Sequence, residues 1–244
     1  MQVMIFAAGK GTRLGALSET VPKCLVDIHG TPLLQRLLTR LISAGAERIV
    51  INVFHLAEAV KTFLNTTSFD NVAIHVSHEP ELLNTGGGLQ FAKPLFSDEK
   101  PILVYNADIH CSVDLCSLYR FHQASKSVAT LVTRDAQTDR VLVFSPEHHL
   151  TGWINKKSGQ SDLPLKCQNS RERDFCGIQV VSPVIFPYLG RPEEKLSIIT
   201  GYLNAVREGH TVGEFSADTE KWFDVGTPET LAQFRSYIEN IEAI

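Results

Sequence analysis

Val3-Met4-Ile5-Phe6-Ala7-Ala8-Gly9-Lys10-Gly11-Thr12-Arg13-Leu14 decides how this chain is read, with Pro22-Lys23 following a loop later. The apolar run predicts a buried strand that ends in residues too small to shield their own backbone. Such a loop can wrap its N–H groups around phosphate oxygens, with Arg13 and Lys23 supplying charge where backbone dipoles fall short. Two commoner glycine motifs do not fit. A P-loop ends in Gly-Lys-Ser/Thr, but Gly11 is followed by Thr12-Arg13; a dinucleotide fingerprint needs a third glycine where this chain has Leu14. Two glycines also suit a plain tight turn between strand and helix.

Further along, strand-like and helix-like segments alternate. Thr31-Pro32 predicts an N-cap and first-turn pair for a helix carrying Leu33, Leu34, Leu37, Leu38, Leu41 and Ile42 at helical spacing, with Gly45 as its stop. Arg48 to Val53, Val72 to Val76 and Pro101 to Tyr105 read as buried strands, and His55 to Leu64 as a helix. This alternation predicts an α/β fold whose parallel sheet is covered on both faces. Ligands then bind beyond the carboxyl ends of the strands, where the Gly9 loop and Asp108 lie.

The second half is less regular. Val128–Thr133, Arg140–Phe144, Leu150–Ile154 and Phe175–Val181 read as strands, and the polar stretch from Asn155 to Arg173 as a loop or hairpin. Ser197 to Glu208 and Pro228 to Ile241 read as helices. We expect one domain over 1–244: a nucleotide-binding part at 1–109, a sugar-phosphate part at 110–227 and a closing helix at 228–244.

Composition excludes some classes. At 43% apolar and 20% charged residues, with net charge -4 and no Lys/Arg run, the chain reads as an ordinary globular protein without a nucleic-acid surface. No apolar stretch is long enough to span a membrane, and glycines interrupt the N-terminal run where a secretion signal needs continuity. Five cysteines without a Cys-x-x-Cys pair point to reduced thiols in the cytoplasm and not to zinc; His75, His78, His148 and His149 show no ligand spacing.

Ala7-Ala8-Gly9-x-Gly11-Thr12-Arg13-Leu14 with Pro22-Lys23 resembles the signature of the sugar-1-phosphate nucleotidyltransferases. Thr85-Gly86-Gly87-Gly88, Asn106-Ala107-Asp108, Phe175-Cys176-Gly177-Ile178 and Trp222-Phe223-Asp224-Val225-Gly226-Thr227-Pro228-Glu229 continue it in the family's order over nearly the whole chain. The compact length and Thr-Gly-Gly-Gly variant look closest to the branch of N-acetylmuramate-1-phosphate uridylyltransferases and heptose-phosphate guanylyltransferases, enzymes of the bacterial cell envelope.

The resemblance implies a Rossmann-like, mostly parallel mixed sheet of the GT-A-like nucleotidyltransferase type, and transfer of a nucleoside monophosphate from an NTP to a sugar-1-phosphate. Its other implications attach to particular residues. Lys23 and Arg13 are the catalytic cations. Ala7, Ala8, Gly9, Gly11, Thr12, Arg13, Lys23, Thr85, Gly86, Gly87 and Asn106 hold the nucleotide, with UTP favoured and a Gly87→Val change expected to fill the space beside the base. Asp108 and Asp224 hold Mg2+, and Gly177 meets the sugar.

Each residue also has a plainer reading. Arg13 suits a surface ion pair, Lys23 a solvated loop, and Asp108 a turn or helix cap. Asp224 could cap the last helix, although Thr227 before Pro228 suits that place better. The Glu-Lys-Pro sugar-phosphate segment of many relatives is missing, and Lys156 or Lys157 could stand in for it. Two rival activities remain: a cytidylyltransferase for phosphocholine or another alcohol phosphate, and a nucleotide-sugar binder without catalysis.

Overall fold

The computed structural model describes residues 1–97 and 99–242. The chain packs as two compact units, each drawn from separated stretches. The first comprises Met1–Leu82, Tyr105–Ser112 and Lys221–Ile244; the second comprises Leu83–Val104 and Val113–Glu220.

In the first unit, strand Arg48–Val53 runs parallel to Gln2–Phe6 on one side and to Ala73–His78 on the other. Their inner residues Val3, Met4, Ile5, Ile49, Val50 and Ile51 are fully buried, as a parallel sheet requires. Between the first two strands comes the amphipathic helix Leu33–Ser43, which buries five leucines. Ala44 ends it, and Gly45 follows at φ +87° with its N–H on Ile42 O. Thr31 is not its N-cap. Thr31–Pro32 instead forms a two-residue antiparallel pair with Asp27–Ile28, and Pro32 occupies the cap with no side-chain hydrogen bond. The short-range propensity of a Thr-Pro pair yields there to strand pairing.

Non-local contacts complete this unit. Strand Trp222–Asp224 pairs antiparallel with Ile109–Cys111, setting Asp224 opposite Ile109. The helix Pro228–Glu242 then closes the unit; positions 243 and 244 of the expected closing helix lie outside the described residues. Thr227 does cap it: the Thr230 N–H donates to Thr227 Oγ1 at 3.3 Å.

The second unit is mixed α/β. Arg171–Val181 pairs antiparallel with Ala129–Asp135 and Arg140–Phe144, and Val212–Ser216 runs parallel to Ala129–Asp135. The polar stretch after Asn155 is a hairpin, because Gln160–Asp162 folds back on Trp153–Asn155. Ser197 caps helix Ile198–Arg207, and Gly209 follows its end at φ +83°.

The Thr85-Gly86-Gly87-Gly88 stretch is not a loop. It forms the first turns of helix Asn84–Ala92, and its glycines are buried. A Cβ on Gly87 would meet Glu194 O at 2.2 Å, so the helix approaches the 194–198 backbone more closely than any side chain allows. All five cysteines are free thiols. Among the described residues, no helix is long and apolar enough to cross a membrane.

Candidate active site

The loop that leaves strand Gln2–Phe6 turns at Gly11, whose φ is +65°. A Cβ there would come within 3.2 Å of Lys23 Cβ, so the missing side chain lets the Lys23 stem lie against the loop. Thr12–Leu14 is a short 3-10 turn that sends Leu14 inward and leaves Arg13 outside. Leu14 joins Val26, Ile28, Leu33, Val225, Leu231, Phe234 and Ile238 in one apolar cluster. That cluster explains why distant residues meet: burying Leu14 and Val225 together brings their neighbours Arg13 and Asp224 side by side.

Asp108 reaches the same place by a different route. The Ala107 N–H donates to Phe6 O at 3.0 Å, and the Val225 N–H donates to Asp108 O at 2.8 Å. The two acids therefore sit at neighbouring points of one small ribbon, beside the end of the first strand. Lys23, in the turn that Pro22 opens, puts its ammonium between them. It forms a short hydrogen-bonded ion pair with Asp108 and lies 3.5 Å from Asp224 Oδ1. Arg13 Nη2 donates to Asp224 Oδ2 at 3.1 Å.

Burial separates the two cations. The Lys23 side chain is 11% exposed and that of Arg13 60%, so the lysine pairing is the strong one and the arginine contact is largely screened. Asp224 Oδ1 is buried and accepts no hydrogen bond. A Cβ on Gly226 would lie 2.5 Å from Arg13 Nη2 and 2.6 Å from Asp224 Oδ1, so this glycine makes room for both groups.

Phe6, Ala7, Gly9, Lys23, Cys24, Ala107 and Asp108 line a recess of about 40 Å3. The Cys24 thiol is pushed up to about 12 by burial and stays protonated, so it offers no nucleophile. A larger cavity of about 240 Å3 lies between helix Leu33–Ser43 and helix Pro228–Glu242, but its lining is mainly apolar and includes neither acid. Of these two, the smaller recess is the one lined by Lys23 and Asp108.

Of the residues singled out from sequence, the structure gathers Arg13, Lys23, Asp108 and Asp224 in contact, with Ala7 and Gly9 in the same recess. Ala8 is buried, Thr12 is exposed, and Asn106 is half-buried at the end of strand Ile102–Asn106. Thr85, Gly86, Gly87 and Gly177 belong to the second unit. There the Gly86 and Gly87 N–H groups both donate to Leu196 O, and Thr85 Oγ1 accepts from the Ile198 N–H at 3.0 Å. Gly177 is buried at φ +75°, inside a break in the pairing between Phe175 and Gln179. Lys156 pairs with Glu172 at 2.5 Å.

Sequence reasoning missed Asn52 and Glu79. Asn52 interrupts the apolar run 49–53 of its strand, and that interruption was the available signal. Its Oδ1 accepts from the Ala7 N–H at 2.7 Å, so one of the expected phosphate donors is already committed.

A Nucleotidyl transferase family model matches residues 2–141, which include the glycine loop, Lys23 and Asp108. The chain belongs to that family. It is 30% identical to the N-acetylmuramate alpha-1-phosphate uridylyltransferase of Neisseria meningitidis, over 93% of this chain and 94% of that protein. It is 29% identical to a mannose-1-phosphate guanyltransferase of Yarrowia lipolytica, over 94% of this chain but only 61% of that longer protein. HddC from Yersinia pseudotuberculosis, solved with GMP-PN, superposes with a TM-score of 0.75 at 22% identity, over 97% of this chain and 99% of HddC. A UDP-glucose pyrophosphorylase complexed with UDP-glucose gives a TM-score of 0.77 at 18% identity, over 98% and 99% of the two chains. These structural matches carry the fold: this nucleotidyl transferase has the architecture of solved nucleotidyltransferases.

Proposed function

We propose that this family member transfers UMP from UTP to a sugar-1-phosphate, forming a UDP-sugar and releasing pyrophosphate. One observation carries the reaction type: two carboxylates and two cations from four separate stretches meet beside a glycine loop at the carboxyl ends of parallel strands. An oxygen of the sugar phosphate attacks the α-phosphorus, and the bond to the bridging oxygen of pyrophosphate breaks. The protein's share is positioning and charge stabilisation. Lys23 exchanges its carboxylate partners for α-phosphate oxygens, and Arg13 offers its planar fork to the outer phosphates.

Asp108 and Asp224 suit magnesium. The buried Asp224 Oδ1 accepts no hydrogen bond and faces the Lys23 ammonium at 3.5 Å; when Lys23 turns to the α-phosphate that oxygen loses its counter-charge, and a pair of carboxylates is what this ion takes when phosphates and water complete its shell. No cluster of three or more His, Cys, Asp or Glu suited to a metal occurs among the described residues. Held by these two acids, Mg2+ would offset charge on the phosphates. Uridylyl transfer is favoured over guanylyl transfer on identity: the Neisseria uridylyltransferase is 30% identical over 94% of its length, against 22% for HddC, which was solved with GMP-PN.

A pyrophosphate-release assay over four NTPs, with a panel of sugar-1-phosphates and phosphocholine as acceptors, with and without EDTA and alongside calorimetric NTP binding, tests all three parts. The expected result is release with UTP and a sugar-1-phosphate, abolished by EDTA and restored by Mg2+. Release with phosphocholine alone would favour the alcohol-phosphate rival, and binding without release the non-catalytic one.

A further inference from the structure

At the carboxyl ends of three neighbouring strands of the first unit, Ala7, Asn52 and Glu79 form a polar chain. The Ala7 N–H, first donor after strand Gln2–Phe6, donates to Asn52 Oδ1 at 2.7 Å. Asn52 Nδ2 donates in turn to Glu79 Oε1 at 2.6 Å, and the Glu79 N–H donates to Val53 O at 3.0 Å. Asn52 is 2% exposed and Glu79 1%, so these two members are shut off from water, while Ala7 is half-buried at the recess.

The chemistry of the three groups fixes its direction. The Ala7 N–H can only donate, so the Asn52 amide must face it with its carbonyl oxygen. Its NH2 is then left facing Glu79, whose Oε1 accepts. Turned the other way, the amide would set NH2 against N–H and its oxygen against a carboxylate, both buried and both unfavourable. Glu79 thus acts on Ala7 through Asn52. Ala7 lines the recess that Lys23 and Asp108 share, so its position sets the spacing between the loop backbone and the ammonium.

We propose that Asn52 and Glu79 are positioning residues that latch the start of the phosphate-binding loop, and that Glu79 does so by orienting the Asn52 amide. This rests on reading the loop as a phosphate cradle. A latch of this kind serves affinity by removing freedom the loop would otherwise lose on binding. A hydrogen bond to a buried charged group is strong enough for its loss to register as a change of about tenfold or more in affinity.

Inorganic tripolyphosphate is the probe, because it engages the cradle without a base or a sugar, and calorimetry on the whole protein is the readout. Asn52→Leu, which leaves net charge unchanged, should weaken tripolyphosphate about tenfold or more. Asn52→Asp should do the same by placing one carboxylate against another. The double change Asn52→Asp with Glu79→Gln restores both net charge and complementarity: Asp accepts from the Ala7 N–H, and the Gln amide donates to Asp. It should recover affinity to within about threefold of the parent. With UTP, the single variants should raise KM more than they lower kcat, which a general loss of stability would not do. If Asn52→Leu does not fold, the comparison of Asn52→Asp with the double variant still decides the matter.

Undiminished tripolyphosphate binding by Asn52→Asp, or a double variant as weak as that single one, would overturn the latch. If the parent protein binds UTP but not tripolyphosphate, the cradle reading and the latch with it are overturned while nucleotide binding stands. If it binds neither, the proposed function goes too.

Discussion

Lys23 is the residue on which the site turns, because one ammonium holds two carboxylates together. Its removal should act in two opposite directions. Lys23→Met should lower turnover by roughly 100- to 1,000-fold, the usual loss when one preorganised electrostatic contact to a transition state is deleted. The same change frees Asp108 and Asp224 from their competing cation, so the nucleotide-free variant should bind Mn2+ more tightly than the parent. Titration followed by electron paramagnetic resonance would measure this. Lower activity with tighter metal binding is a signature that simple misfolding cannot produce; unchanged or weaker Mn2+ binding would remove Lys23 from the acids' environment. The family resemblance already paired Asp108 and Asp224 on one Mg2+; that the Lys23 ammonium lies between them is what the structure adds.

Elements explain which glycines serve a ligand and which serve packing. Nothing lies within 4 Å of a Cβ on Gly9, and its φ is not in the left-handed region, whereas one on Gly87 would strike backbone at 2.2 Å. Gly9→Ala should therefore leave the thermal midpoint unchanged while raising KM for the NTP, since on the proposed function the added methyl projects into the phosphate cradle. Gly87→Ala should lower stability by about 3 kcal/mol, because a helix must move off the segment it packs on. The expectation that Gly87→Val reports on the base pocket is thereby corrected: it breaks helix packing first. Scanning calorimetry on both alanine variants separates the two classes, and a stable Gly87→Ala protein would contradict the packing.

Strand and helix also meet at His122, which hydrogen-bonds Thr130 Oγ1 and Ser182 Oγ at 2.9 Å each. Burial lowers its pKa from 6.5 to about 4. Between those values the unfolded chain binds the proton and the folded one does not, so stability is full above pH 6.5 and falls on acidification. His122→Gln should flatten the fall in denaturation free energy between pH 6.5 and 5 by up to about 1.4 kcal/mol per pH unit. An equally steep variant would show that His122 titrates normally.

At the scale of the whole molecule, ligand binding and stability are linked. A nucleotide that binds only the native state raises its stability by mass action, about 2.7 kcal/mol at a hundred times the dissociation constant. In thermal-shift measurements with Mg2+, UTP should raise the midpoint more than GTP, CTP or ATP. A larger shift with GTP would move the base assignment to the guanylyl relatives.

What the sequence determined by itself is whatever contiguous residues can encode. The apolar runs, the leucine repeat of helix 33–43, the stop at Gly45 and the small-residue loop after Phe6 all follow from local spacing and side-chain size, and each is found. Family motifs added the identities of the cations and acids, because their order along the chain is itself information. Only the tertiary structure decided who meets whom. Arg13 reaches Asp224 across 211 positions because Leu14 and Val225 enter one apolar cluster. Asp108 joins Asp224 through an antiparallel register that no local pattern specifies. The same holds for Thr31, drawn from a cap into a strand pair, and for Gly87, whose role depends on backbone more than a hundred residues away. Asn52 looks like a flaw in an apolar strand until the fold sets Ala7 and Glu79 on either side of it. Burial and long-range pairing are properties of the assembled chain, and these interactions exist only there.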